Sequence, residues 1–332
     1  MYFLLGISLT LAFLLIVNMA VAIGASVLWR LLSSRIRDMT VSTRAQIIFG
    51  LRILPVAAAL VFVFAFLVPS YLMHEPESSG EVVSGKLGVI ALISSLGVCF
   101  ALYRVLETWL VTRRLSRNWL KNAVRFEVKG ISVPVHRIQH QFPVIAVIGI
   151  FRPKMFVAEQ VLKSLDDKEF TAAVAHEYGH LKAKDNFKRT VLRVCRDLLI
   201  FPLGKGLDDA WAENAESVAD EFAAGKGPST ALDLASALVK IARIVPPNAF
   251  PAMPAGAFLI EDQNTDITAR VRRLVSLSGQ QSIVGTRQMS GLSPLAWLSS
   301  AVLATLVIFP LFSSQCLTST HEAVEQFVSL LK

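Results

Sequence analysis

The residues best suited to chemistry in this sequence are the five at positions 176–180, His-Glu-Tyr-Gly-His. Two histidines four positions apart lie on one face of a helix, one turn from each other, so His176 and His180 can ligate the same zinc ion. Glu177 lies about 100° round that helix, beside the position that the metal leaves open to water. A carboxylate placed there can accept the proton of an attacking water and pass it to a leaving amine. The pattern predicts a zinc hydrolase with Glu177 as its general base.

A catalytic zinc site needs a third protein ligand, because its fourth position is kept for water. The segment WAENAESVADEFAA at 211–224 predicts a helix on which Glu213, Glu216 and Asp220 are close enough in phase to share a face. Glu216 and Asp220 lie one turn apart, so one can ligate the metal while the other accepts the second N–H of a ligand histidine. The spacing alone leaves Glu213 open as the ligand, and His136 and His140 are further candidates upstream.

The composition is typical of a membrane protein. Of 332 residues, 53% are hydrophobic and 17% are charged, and the apolar residues stand in unbroken runs. Such a chain is too apolar to be disordered, and three scattered cysteines do not make a disulfide framework. The net charge of +8 lies mostly beside the apolar runs, where it orients the chain and attracts anionic lipid. The expected partners are the lipid bilayer and a protein substrate, with no direct nucleic-acid contact.

Four apolar segments are long enough to cross a bilayer core, which takes about 20 helical residues. They are approximately residues 1–29, 53–73, 87–103 and 291–312. The loops after the first and third segments are rich in arginine and the loop after the second is acidic, so the basic loops are expected in the cytosol and the N-terminus outside. This predicts a membrane region at 1–112, a cytosolic domain at 113–290, and a fourth span with a short extracytoplasmic tail at 291–332.

The cytosolic region is predicted to be an α+β domain. Short apolar strands are expected between 124 and 158, and a helix is expected to open at Ser164 and to carry the two histidines. A protease can hold its substrate extended, as a strand added to an exposed sheet edge. Val144–Ile150 and Lys154–Ala158 are the candidate edges, with buried core strands as the alternative. The residues expected to bind substrate are Val144, Ile145, Ala146, Val147 and Ile148.

Two stretches resemble a known family. IGIFRPKMFVAEQVLKSLDDKEFTAAVAHEYGHLKAKDN at 148–186 and ESVAD at 216–220 are similar to the membrane-anchored gluzincins typified by the BlaR/MecR antibiotic sensor-transducers. The layout of three spans, a cytosolic domain and a fourth span is similar too. The resemblance implies a zincin-like (gluzincin) fold with Zn²⁺, with Glu216 as the third ligand and Asp220 as the support of a ligand histidine. It also implies a bacterial plasma (inner) membrane location with a cytoplasmic catalytic domain.

The sequence departs from this family after the fourth predicted span. BlaR and MecR sensors carry an extracellular penicillin-binding domain there, whereas about twenty residues follow the span in this sequence, so direct β-lactam sensing is not expected. The HtpX/CAAX-protease group shares the HExxH and ExxAD patterns and is the alternative family. Its members have a His-Pro pair before a basic helix, where this sequence has Asp266-Ile267.

These features predict a membrane-anchored zinc endopeptidase that cleaves a cytosolic or juxtamembrane protein, a transcriptional repressor or itself, in signal transduction. One alternative is an HtpX-like protease for membrane-protein quality control. The other is a signalling or scaffold protein with a structural zinc, against which Glu177 argues, because a structural site needs no general base. The substrate, the activating signal and the oligomeric state stay open at this level. The oxyanion-stabilising residue is open too, with His136, His140 and Arg270 as candidates.

Overall fold

The computed structural model describes residues 2–76, 83–128, 130–199, 203–245, 267–280 and 314–331. Within them, three helical rods are long and apolar enough to cross a membrane. The first is α1 (Tyr2–Leu32), and the third is α4 (Gly85–Lys121). The second is a continuous run of α2 (Val41–Val61), a π-helical turn (Phe62–Leu67) and α3 (Val68–His74). These rods match the first three predicted spans, whereas the predicted fourth span at 291–312 lies outside the described residues.

The rods carry apolar side chains on their outward faces. Phe64 of the second rod is 66% exposed, and Leu92, Leu96 and Phe100 form an exposed stripe along α4. Water disfavours contiguous apolar surface of this kind, and lipid accommodates it. The rods therefore support the membrane insertion predicted from the composition.

The strands between 124 and 158 form one four-stranded sheet in this part of the chain. β1 (Val124–Phe126) pairs antiparallel with β2 (Val135–Ile138), and β2 pairs parallel with β4 (Lys154–Ala158). β3 (Ile145–Ile148) pairs antiparallel with the other side of β4. The order β1-β2-β4-β3 puts β3 at an edge of the sheet. Of the two candidate edge strands, the first lies at the edge and the second does not, because β4 is paired on both sides.

Seven more helices complete the described ranges. They are α5 (Glu159–Ser164), α6 (Asp167–Ala183), α7 (Asp185–Asp197), α8 (Lys205–Ala224), α9 (Thr230–Ile244), α10 (Ile267–Gln280) and α11 (Ser314–Leu331). α6 carries both histidines, but it does not open at Ser164 as expected. Ser164 ends α5, and the extended backbone of Leu165 separates the two helices. Asp166 caps α6 in a capping box with Glu169.

The helical domain packs directly onto the second membrane rod. Ile48 of α2 lies in one buried cluster with Leu207 and Trp211 of α8. The chain enters α8 through Gly204, whose φ of 90° is a conformation that glycine adopts without strain. A Cβ at position 204 would also lie 3.1 Å from the Arg52 Nε of α2. The glycine thus allows α8 to start in close contact with a membrane helix.

Candidate metal centre

A close crossing of two helices brings the site together. α6 is buried along much of its length, and the side chain of His176 is fully buried. α6 meets α8 at Gly179, where a Cβ would lie only 3.1 Å from the Ala219 Cα. Any larger residue at this position would push the two helices apart. The crossing brings Glu216 of α8 to the face of α6 that carries the histidines.

Three side chains converge there at a spacing that suits a tetrahedral metal. The Nε2 atoms of His176 and His180 lie 3.1 Å apart, and Glu216 carboxylate oxygens lie 3.5 Å and 3.4 Å from them. Two ligands at tetrahedral angles around zinc, each about 2.1 Å from the ion, are about 3.4 Å apart. One ligand atom from each of the three residues lies within 4.8 Å of the others. Two imidazoles and a carboxylate in this arrangement fit a zinc ion.

Each histidine is oriented by a carboxylate at its other ring nitrogen. His176 Nδ1 lies 2.9 Å from Asp220 Oδ1, and His180 Nδ1 lies 2.8 Å from Asp185 Oδ2. A carboxylate in this position holds the ring proton on Nδ1 and leaves the Nε2 lone pair free for a metal. The sequence predicted such a partner in Asp220, whereas Asp185 was not predicted.

An unusual turn delivers Asp185 to His180. Lys184, between α6 and α7, has a φ of 57°, in the left-handed region that a lysine rarely occupies. The chain reverses there, so the first residue of α7 returns beside the last turn of α6. The sequence signal for this contact is an aspartate five positions after the second histidine. That spacing predicts the contact only if the left-handed turn at Lys184 is predicted as well.

Two arginines balance the charge of the site carboxylates. Arg270 of α10 lies 2.6 Å from Asp220 Oδ1 through Nη2 and 3.2 Å from Glu216 Oε2 through Nη1. Arg189 of α7 lies 3.3 Å from Glu216 Oε1. These contacts tie α7 and α10 to α8 at the level of the site. Arg270 was a candidate oxyanion donor, and in the structure its guanidinium orients carboxylates.

Glu177 lies buried beside this group. It is 4% exposed, and its Oε1 has no hydrogen-bond partner among the residues described. Burial raises the pKa of Glu177 above its ordinary value of 4.5, while the charges of His180 and His176 oppose that rise. A buried carboxylate with a free oxygen and a raised pKa is suited to accepting a proton.

The electrostatic field of the site favours a bound cation. Burial lowers the pKa of His180, but the carboxylates of Glu216 and Asp185 outweigh it and raise that pKa to about 10. Burial likewise raises the pKa of Asp220, and Arg270 and His176 reverse this and lower it to about 2. A field that strongly favours a proton on a histidine also favours a metal cation in its place, since the two compete for the same nitrogen.

The other candidate ligands lie elsewhere. Glu213 is exposed on α8 and does not join the cluster. His136 lies on β2 with its ring stacked on Phe156 at 5.5 Å, and His140 Nδ1 accepts a hydrogen bond from the backbone N–H of Phe142. The structure therefore brings Glu216 to the two histidines of α6 and leaves these three alternatives outside.

The edge strand β3 packs against the metal-site helix α6. The Ala158 N–H donates to the Val144 carbonyl at 2.7 Å. In an antiparallel pair, alternate residues bond to the partner strand, so the register directs the backbone groups of Val144, Ala146 and Ile148 toward β4. The N–H and C=O groups of Ile145 and Val147 point to the other side of β3, away from β4. Asn186 of α7 already donates to the Val147 carbonyl at 2.9 Å. All four residues of β3 are buried, with Ile145 1% and Val147 3% exposed, so this edge is unpaired by another described strand but is not open to solvent in the structure.

Residues 146–242 match the model of peptidase family M48. The matched stretch runs from β3 into α9 and includes the three converging side chains and Glu177. No curated protein matches the sequence. The family match, the cluster of ligand atoms and the three apolar rods together support a membrane-associated metallopeptidase of the zincin type.

Proposed function

We propose that this protein is a membrane-anchored zinc endopeptidase that cleaves a cytosolic or juxtamembrane protein. The proposal rests on the convergence of His176, His180 and Glu216 beside the buried carboxylate of Glu177, whose Oε1 has no hydrogen-bond partner among the described residues. Structural zinc normally has four protein ligands and needs no base. The match to peptidase family M48 supports peptide hydrolysis as the reaction.

The chain's own residues divide the work of hydrolysis. His176, His180 and Glu216 would hold the ion and leave one position open, and bound zinc supplies polarisation of the scissile carbonyl and a more acidic water. Glu177 takes a proton from the attacking water and returns it to the leaving amine. Asp220 holds the His176 ring in the required orientation.

The segment Val144–Ile148 is the proposed substrate-binding strand. A substrate strand added to the edge of β3 that faces away from β4 would bond to the backbone groups of Ile145 and to the N–H of Val147, and it would first have to displace what buries these residues. The Asn186 amide already donates to the Val147 carbonyl, so a bound substrate strand could not use that carbonyl as an acceptor. Recognition through backbone groups requires an extended segment and depends little on its sequence. This favours loops or unfolded stretches of a target protein as substrates.

The charge of the first loop supports a cytoplasmic active site. The loop between α1 and α2 carries Arg35 and Arg37, Arg30 and Arg44 lie in the adjoining helix turns, and α8 packs against the half of α2 that adjoins this loop. This packing supports a catalytic domain on the same side of the bilayer as the basic loop. Basic loops stay in the cytosol, so the proposed location is a bacterial plasma (inner) membrane with the N-terminus outside.

The resemblance to BlaR/MecR proteins supports a role in signal transduction. In that role the substrate is a transcriptional repressor or the protein itself, and cleavage follows a signal at the membrane. A protease for membrane-protein quality control would use the same site on a different set of substrates. The identity of the cleaved proteins distinguishes the signalling role from the quality-control role.

Hydrolysis of an unfolded reporter protein tests the proposed reaction. Full-length protein in lipid nanodiscs is loaded with zinc and mixed with fluorescently labelled casein. Glu177→Gln is expected to keep the zinc content of the parent protein and to reduce hydrolysis by about 10²- to 10⁴-fold. Glu213→Gln, an exposed substitution on the helix that carries Glu216, is the matched control and should cleave at the parent rate. Parent-rate cleavage by Glu177→Gln would overturn the assignment of the base.

A further inference from the structure

A second group of metal-ligating side chains lies at the far end of the membrane rods. Glu75 follows α3, and His321 and Glu325 are one turn apart on α11. One ligand atom from each of these three residues lies within 4.8 Å of the others. Two ligands at i and i+4 on a helix share a face, and the third comes from a separate element. The group therefore forms where the end of α3 meets α11.

The packing of α11 against the second rod holds this group in place. Ser70 Oγ donates to the Leu317 carbonyl at 2.8 Å, within a buried contact between α3 and α11. His74 Nε2 lies 3.1 Å from Thr318 Oγ1, and its ring stacks on His321 with centroids 5.3 Å apart. The three ligand side chains are each partly buried. Their positions are thus set by contacts that do not depend on a metal.

Within the described residues, no lysine or arginine balances the charge of the group. Two carboxylates share the site, and no lysine or arginine of the described ranges forms an ion pair with Glu75 or Glu325. Like charges at this distance repel each other, and a divalent cation between them removes the repulsion. A set of one imidazole and two carboxylates is a zinc-type donor set, because calcium and magnesium prefer oxygen ligands alone.

We propose that Glu75, His321 and Glu325 form a second zinc site, on the opposite side of the membrane from the catalytic domain. Arg52, which pairs with Asp208 of α8, and Glu75 are 23 positions apart, which is about 35 Å of helix and enough to cross the hydrocarbon core. An ion bound there joins the C-terminal helix α11 to the end of the second rod.

Zinc content per chain tests this site. Full-length protein in detergent is stripped of metal, equilibrated with zinc chloride, separated from free zinc and measured by mass spectrometry for zinc and protein. The parent protein is expected to bind two zinc ions per chain, and His321→Ala or Glu325→Gln to bind one. Glu322→Gln, an exposed substitution next to His321 on the same helix, is the matched control and should bind two.

His176→Ala separates this proposal from the catalytic one. It is expected to remove one zinc ion, and His176→Ala combined with His321→Ala is expected to remove both. The zinc retained by His321→Ala at the catalytic residues shows that this variant is folded. If His321→Ala and Glu325→Gln bind as much zinc as the parent protein, the second site is wrong whatever His176→Ala does. If only His176→Ala fails to lose zinc, the second site stands and the catalytic site is wrong.

Discussion

Arg52 of α2 donates its Nε to Asp208 Oδ1 of α8 at 2.7 Å, and the arginine is only 1% exposed. Asp208 precedes Glu216 by about two turns of the same helix. The pair therefore connects a membrane rod to the helix that carries a proposed metal ligand. We expect a displacement of α2 to move α8 and, with it, Glu216. A conformational change in the membrane helices would then alter the geometry of the catalytic site.

Asp208→Asn is expected to destabilise the contact between the rod and the domain. The substitution leaves the Arg52 guanidinium buried without its counter-charge, which costs about 2–3 kcal/mol after allowance for the partly exposed aspartate. The apparent midpoint of thermal unfolding in detergent should fall, and casein hydrolysis should fall with it. Asp209→Asn, at the exposed neighbouring position, should change neither. Identical midpoints for the two variants would show that the pair contributes nothing to the contact.

Asp220→Asn is expected to weaken zinc binding at the catalytic site. Removing the carboxylate at His176 Nδ1 loosens the ring and its tautomer, and such partners are typically worth 10- to 100-fold in metal affinity. Competition with a chromophoric chelator measures the affinity, in a His321→Ala background so that one site is observed. Glu221→Gln changes the adjacent carboxylate, which pairs with Arg273, and should leave the affinity unchanged. An unaltered zinc affinity in Asp220→Asn would contradict the role of Asp220 in orienting His176.

Substitutions of Lys184 test whether the left-handed turn positions Asp185. Lys184→Gly removes the backbone strain at φ 57° and should stabilise the fold by about 1 kcal/mol while keeping zinc affinity. Lys184→Val adds a β-branched side chain that this conformation disfavours, and it should lower both stability and affinity. Thermal unfolding and the chelator assay give the two readouts. Equal zinc affinities in the two variants would contradict the claim that the turn positions Asp185 for the metal site.

Glu169 links the start of α6 to α9. Lys240 Nζ lies 2.6 Å from Glu169 Oε1, and Ser236 Oγ donates to the same oxygen at 2.6 Å. Burial raises the pKa of Glu169, but Lys240, Ser236 and the Asp166 N–H lower it more, so it lies below its ordinary value of 4.5 in the folded protein. A lowered carboxylate pKa stabilises the fold above the unfolded pKa, and that contribution is lost as the pH falls through the folded pKa.

Glu169→Gln should therefore reduce stability most at neutral pH. The gap in unfolding midpoint between the parent protein and this variant is expected to be full near pH 7 and to close as the pH drops below 4.5. Glu159→Gln, which breaks an exposed pair with Lys163, should produce little change, because exposed pairs contribute little. A gap for Glu169→Gln that stays constant with pH would contradict the ionic role of Glu169.

The parts of the site encoded at short range were predictable. Helical spacing placed His176 and His180 on one face, and it placed Glu216 and Asp220 one turn apart on a second helix. The resemblance to a known family selected Glu216 over Glu213, and in the structure Glu216 lies with the histidines while Glu213 is exposed.

The parts that depend on chain reversal or distant packing were not predictable. Asp185 reaches His180 only because Lys184 adopts a left-handed conformation, for which a lysine carries no signal. Arg52 and Asp208 are 156 positions apart, and no periodicity relates them. The start of α6 was misplaced because Ser164 and Asp166 both stand in positions suited to a cap, and the extended Leu165 selects the second.

Quantitative profiling of new protein N-termini in host cells tests the central claim most directly. Cells that carry the intact protein are compared with cells that carry Glu177→Gln at equal expression, with and without envelope stress. We predict a set of termini that require Glu177, and a DNA-binding repressor among them would support the signalling role over quality control. Identical termini in both strains under both conditions, with zinc bound equally by the two proteins, would contradict the proposal that this site is a protease.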